Sequence, residues 1–366
     1  MTRRRANVLW LLLPLLAIGP EASVVPARAD EAEEALSKYF GPLDKALDKA
    51  LAYLAKQQAP NGSFQGGQSP VAVASLATMA FLAKGYTPGT GPYGQHINRG
   101  IDFVMDCQKP NGLINGPGDR GMYSHGMAAL MLSEVSGMVD AKRQAKIDQA
   151  LPKAVALILT AQQVAKPPVH QGGWRYNANS TDSDISLTGW QLMAIRSARS
   201  NGAQVPKKAI DDAVGFVLRC RERRAPAKDP KTGRSRGVGF GYQPGGAPGL
   251  ERTAVAVLCL ELCGHHRSPE AVAGGDWLLA NLSSRFGAGY FYYGLYYSSQ
   301  AMFQLGGEYW QQFAPYLYEM MLKFQRDDGS WPQGSSGEAA AGPCYSTAMG
   351  VLSLAVSYRQ LPIYQR

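Results

Sequence analysis

Six stretches of the chain share one order of apolar and polar positions. Each begins at a hydroxyl or imidazole residue: Ser75, His125, Thr188, Thr253, Ser298 and Thr347. Four positions on stand Met79, Ala129, Leu192, Val257, Met302 and Val351; seven positions on stand Leu82, Leu132, Ile195, Leu260, Leu305 and Leu354. Offsets of four and seven fall on one helical face. The remaining faces are also largely apolar, which predicts buried helices. A more amphipathic segment precedes each one, at 43–58, 97–108, 147–163, 209–221, 270–283 and 309–325. The pattern predicts six helix pairs, with longer connections at 164–182 and 223–248.

A second motif joins outer to inner segments. Gln58-Ala-Pro-Asn-Gly62-Ser-Phe64 matches Gln325-Arg-Asp-Asp-Gly329-Ser-Trp331. Gln108 to Leu113 is a weaker copy, and Gly172-Gly173-Trp174 keeps the glycine and the aromatic. Glycine permits a left-handed helix stop. The glutamine can bond loose backbone groups at the helix end, and the aromatic can cover the seam between repeats. An open stack of such pairs needs polar caps. The last repeat, Cys344-Tyr-Ser-Thr-Ala-Met-Gly-Val-Leu-Ser-Leu, is as apolar as the middle ones. The expected fold is therefore a closed, all-α (α/α)6 toroid in a single domain.

Composition adds compartment and excludes some partners. Arg3, Arg4 and Arg5 precede an apolar run from Val8 to Ile18, and Ala27-Arg28-Ala29 offers small residues for cleavage. These are the marks of a secretory signal peptide; the run, interrupted by Pro14, is short of the roughly 20 residues of a membrane span. The expected organisation is a signal peptide over 1–29, a lead-in over 30–42 and the toroid over 43–366, in an exported, periplasmic or secreted protein. Removing 1–29 leaves 33 basic and 27 acidic residues, so the net charge falls from +9 to +6. The basic loop 219–236 lacks interleaved aromatics and reads as a solvated insertion, not a nucleic-acid site. Five scattered cysteines do not form a disulfide framework. Cys259, Cys263, His265 and His266 match no zinc spacing, and neither a metal nor a cofactor is expected.

The repeats and the two full Gln-x3-Gly-Ser-aromatic copies at Gln58 and Gln325 resemble the prenyltransferase and squalene-oxidase repeat family, over about Leu43 to Tyr358. The closest look is to its secreted, repeat-only bacterial members. The resemblance implies a functional cavity at the N-terminal ends of the inner helices. Class II cyclases of that family protonate an isoprenoid through D-x-D-D. Here Asp182-Ser183-Asp184-Ile185 keeps two aspartates, with Asp184 at the donor position and Ile185 replacing the last acid. Helix capping also accounts for both aspartates. The zinc set of protein prenyltransferases is incomplete, with Cys344-Tyr345 where the family has its histidine.

The site expected from these residues has Asp184, Asp182 and His125 as candidate catalytic groups. Tyr123, Trp174, Trp190, Glu251, Arg252, Tyr293, Tyr297, Trp331 and Tyr345 are expected to form its binding wall. Complete repeats beside incomplete catalytic motifs point to a toroid that binds an apolar or extended ligand, or a protein partner. The alternatives are a terpene-cyclase-like enzyme using Asp184 as acid, and a carbohydrate-active enzyme using Asp182, Asp184 or Glu251. The last needs two carboxylates roughly 5–10 Å apart across a groove.

Overall fold

The computed structural model describes residues 26–365 apart from 65, 66, 232, 234 and 284. The basic start and apolar run of the expected signal peptide lie outside the described residues. Residues from Tyr39 onward form one compact unit. Among the described residues, six outer helices alternate with six buried inner ones. The outer helices are α1 (Pro26–Gln57), α3 (Gly94–Asp106), α5 (Ala141–Gln162), α7 (Lys207–Arg219), α9 (Pro269–Ala280) and α11 (Gly307–Phe324). The inner helices are α2 (Pro70–Ala83), α4 (Met122–Val135), α6 (Ile185–Ser200), α8 (Leu250–Leu262), α10 (Phe291–Leu305) and α12 (Gly342–Leu354). Inner helices pack in chain order, and α12 packs back on α2, so the ring closes. From Val71 to Ala83 every residue of α2 is buried. No polar cap is required because each inner helix packs against an inner neighbour on both sides.

The seams between pairs are built by the recurring Gln–Gly loop. Gln58, Gln108, Gln162 and Gln325 each donate through Nε2 to the carbonyl of Gly62, Gly112, Gly172 and Gly329 respectively. The same amides reach the backbone of the next outer helix, at His96 (2.9 Å), Ala150 (2.8 Å), Ala209 (2.8 Å) and Ala46 (2.8 Å). The bond from Gln325 to Ala46 joins the last repeat to the first. The glycines have φ of 86 to 90°, and a Cβ on any of them would overlap a backbone carbonyl of the neighbouring helix. Left-handed geometry and close approach both require glycine there.

The anchor residues hold the other side of the same loops. Thr188, Thr253 and Thr347 accept through Oγ1 from the backbone N–H of Trp174 (3.2 Å), Phe240 (2.9 Å) and Trp331 (3.3 Å). Phe240 and Gly237 thus supply a fourth-repeat copy that the sequence hides inside its long 223–248 connection. The fifth repeat departs from the rule. Ser298 lies seven residues after the start of α10, one turn deeper than Thr253 in α8, and the position in step is Gly294.

The middle of the ring is filled. Trp190 stacks on Tyr296 at 5.6 Å between ring centroids and meets Tyr297 edge-on at 5.4 Å. Tyr296 bonds to Tyr364 of the chain's last segment. That segment is pinned by Arg196, which donates to the Ile363 carbonyl at 2.9 Å, and by Glu134, which accepts from the Ile363 N–H at 3.0 Å. The toroid is consequently a cup with a closed floor on the side of the inner-helix C-termini.

Candidate functional site

Above this floor, at the N-terminal ends of the inner helices, lies a cavity of about 390 Å³. All six inner helices reach it through their first turns, with Ala72, Tyr123, Ser186, Glu251, Tyr293 and Tyr345. The rest of the wall comes from the loops that precede them, with Arg120, Arg175, Tyr176, Tyr242, Tyr290 and Glu338. Of the expected wall, Tyr123, Glu251, Arg252, Tyr293 and Tyr345 line the cavity.

Trp174, Trp190, Tyr297 and Trp331 lie elsewhere. The Trp174 and Trp331 indoles donate to the carbonyls of Ile158 and Met321, each at 2.8 Å. These bonds lock both rings into the seams, where the need to cover outer-helix backbone outweighs exposure to a ligand. Trp190 and Tyr297 belong to the floor. His125 is corrected from candidate base to structural residue. It is 0% exposed. Its Nδ1 accepts from the Ile114 N–H at 3.0 Å, which leaves Nε2 to donate to the Ala154 carbonyl at 3.1 Å. Both nitrogens are used in the seam, where the third, fourth and sixth repeats use a threonine hydroxyl. Burial pushes its imidazole down to about 4, so it stays neutral there.

Asp184 is the N-cap of α6 and accepts from the Leu187 N–H at 2.9 Å. It is 0% exposed and sits behind Arg175, whose Nε lies 3.3 Å from Oδ2. Burial pushes its carboxyl up to about 6, against the pull of the Leu187 N–H, the Tyr242 hydroxyl and the Arg175 charge. Asp182 pairs with the same arginine at 3.2 Å and accepts from Gln243 at 3.3 Å. Neither aspartate lines the cavity. Arg175 does, lying over the rings of Tyr176 and Tyr242 at 5.1 and 5.4 Å. The Tyr176 and Tyr242 hydroxyls are bonded at 2.9 Å. The two aspartates therefore orient an arginine that faces the cavity and do not face it themselves.

Glu338 was not among the expected site residues. It is 3% exposed and stands in a short 3₁₀ segment, Ser336–Ala341, just before α12. Its carboxylate accepts from the N–H groups of Tyr292 (3.2 Å) and Tyr293 (2.7 Å) at the start of α10, and from the Tyr345 hydroxyl (3.3 Å). Burial pushes the carboxyl up to about 7, although these bonds and the helix N-terminus pull it down. Gly334 leaves the room this side chain occupies, and Gly337 the room against which the Tyr290 ring rests. The one available signal in the sequence is that Glu338 is the sole acid after Asp328. Among the described residues, no cluster of three His, Cys, Asp or Glu could hold a metal ion.

No protein-family model matches the chain, and no curated protein matches it. Solved structures do. A family 76 glycoside hydrolase from a bovine Bacteroides thetaiotaomicron strain superposes with a TM-score of 0.61 at 9% identity, covering 86% of this chain and 77% of that one. A GH76 alpha-mannanase from Bacteroides thetaiotaomicron gives 0.58 at 9% identity, covering 90% and 98%. A protein from Actinoplanes gives 0.53 at 15% identity, covering 85% and 98%. The chain is an α/α toroid. At these identities the likeness is one of fold.

Proposed function

We propose that the cup is a binding site for a saccharide chain, in a protein that works outside the cytoplasm. The observation that carries this reading is the wall itself. It interleaves Tyr123, Tyr290, Tyr293 and Tyr345 with Arg120, Arg175, Arg252, Glu251 and Glu338. An apolar isoprenoid would strip water from those polar groups and offer no hydrogen bond in return, at a cost of several kcal/mol. A sugar offers an apolar C–H face to aromatic rings and hydroxyls to guanidinium and carboxylate groups. Two of the superposing toroids are glycoside hydrolases, in keeping with the reading. The terpene-cyclase alternative assigns the proton to Asp184, which caps α6, holds Arg175 and does not line the cavity. The basic start, short apolar run and small-residue triplet of the N-terminus favour export.

The test is a titration of the purified protein with α-mannan, β-xylan, starch and polygalacturonate, and with squalene in detergent. The reading expects one polymer to bind with a dissociation constant between micromolar and millimolar, and squalene not to bind. Binding of squalene alone would refute it.

A further inference from the structure

Two acidic side chains flank the first turn of α10 at the cup wall. Glu338 approaches it from the segment before α12 and binds the N–H groups of Tyr292 and Tyr293. Glu251, from the first turn of α8, approaches the same turn at Gly294. A side chain on Gly294 would begin 3.5 Å from the Glu251 Cβ, so the missing Cβ leaves the space that brings α8 and its acid close. Both acids line the one cavity. Their surroundings differ. Glu251 is ion-paired with Arg252 at 3.1 Å. Glu338 faces no guanidinium among its bonded partners; it meets backbone N–H groups and the Tyr345 hydroxyl in a site almost closed to water. Acid–base cleavage of an acetal uses two carboxylates held in unlike environments on one cavity, at a separation that leaves room for the scissile bond and a water.

We propose that Glu338 is a catalytic acid and Glu251 its basic counterpart, so that the cup hydrolyses the glycosidic bond of the saccharide it binds. The inference rests on the saccharide reading above. In the step, Glu338 gives its proton to the glycosidic oxygen as the bond from that oxygen to the anomeric carbon breaks. Glu251 takes a proton from water as the water oxygen bonds to the anomeric carbon. One water is consumed, an alcohol and a hemiacetal leave, and the proton passes from Glu251 back to Glu338 through solvent. Tyr290, 49% exposed at the rim, is placed to hold a sugar ring at the entrance. Burial, which pushes Glu338 up to about 7, keeps a large share of it protonated at neutral pH.

The experiment measures release of reducing ends from α-mannan, β-xylan, starch and polygalacturonate, alongside binding of the same polymers by affinity electrophoresis. The expected result is release from a polymer that binds, with a rate that falls as pH rises through about 7. Glu338→Gln and Glu251→Gln should each lower the rate at least 100-fold while binding persists. Tyr345→Phe withdraws a hydroxyl that donates to Glu338, and should move the alkaline limb upward; this readout survives if the Gln variant fails to fold. Binding without release from any of the four polymers would overturn the catalytic assignment and leave the saccharide reading standing. So would release that is unchanged in Glu338→Gln. Failure of all four to bind would bring down the saccharide reading itself, and this proposal with it.

Discussion

Replacing Gly112 by alanine tests one of the seams that hold successive helix pairs together. Its φ is +89°, and a Cβ there would lie 2.6 Å from the Lys153 carbonyl oxygen and 3.0 Å from its carbon. Both are backbone atoms of α5, so the overlap cannot be relieved by turning a side chain. Two costs add. Left-handed geometry costs alanine about 1–2 kcal/mol, and forcing packed backbone apart costs about 1–3 kcal/mol more. Gly202 separates the two. Its φ is +87°, yet nothing lies within 4 Å of its would-be Cβ. Gly202→Ala should therefore lose about 1 kcal/mol and Gly112→Ala about 3 kcal/mol. The total stability expected of a domain is about 5–15 kcal/mol. Equilibrium urea unfolding followed by far-ultraviolet circular dichroism measures both losses. Equal losses in the two variants would mean that the loop does not press on the next outer helix, and the account of the seam would be wrong.

Three further outcomes follow from the buried groups. Glu338 holds its proton to about 7 in the folded chain against 4.5 when free, so the stability it contributes is complete below pH 4.5 and lost as pH rises to 7. Glu338→Gln should gain on the wild type by about 3 kcal/mol across that window in pH-dependent urea unfolding. His125 has the opposite sign: its folded value of about 4 lies below 6.5, so its contribution grows from pH 4 to 6.5, and His125→Asn should lose ground there. Arg175→Met strips the counter-charge from Asp184, which is 0% exposed; a loss of about 2–3 kcal/mol is expected, partly restored by adding Asp184→Asn, as a double-mutant cycle would show. Tyr290→Ala should weaken polysaccharide binding about fivefold, roughly 1 kcal/mol, with thermal stability unchanged; unaltered binding would remove Tyr290 from the site.

Periodicity made the ring readable from the sequence. The apolar offsets placed the inner helices, and the Gln58 and Gln325 loops announced the seams because glycine, glutamine and aromatic each answer a separate physical demand. Gly237 escaped notice because the 223–248 connection separates it from its outer helix, and Gln162 because ten residues divide it from Gly172. Ser298 fitted the apolar pattern while standing a turn out of step, since offsets of four and seven look alike after a shift of one turn. The site was less readable. Tryptophans are equally good as seam covers and as ligand walls, and only the indole bonds to Ile158 and Met321 decide for Trp174 and Trp331. An aspartate before a helix serves as a cap or as an acid, and the buried Leu187 N–H gives Asp184 the first role. Glu338 has no motif at all. It acquires its environment only when α12 closes on α10, a long-range contact that local sequence does not encode.

The claim at the centre of this account is that the cup between the inner-helix N-termini is a saccharide site flanked by Glu251 and Glu338. A crystal structure of the Glu338→Gln protein, soaked with an oligosaccharide of whichever polymer binds, tests it most directly. The account predicts a sugar ring against Tyr290 or Tyr293, with its glycosidic oxygen within hydrogen-bond reach of residue 338. An oligosaccharide bound only on the outer helices, with the cup filled by solvent, would contradict it.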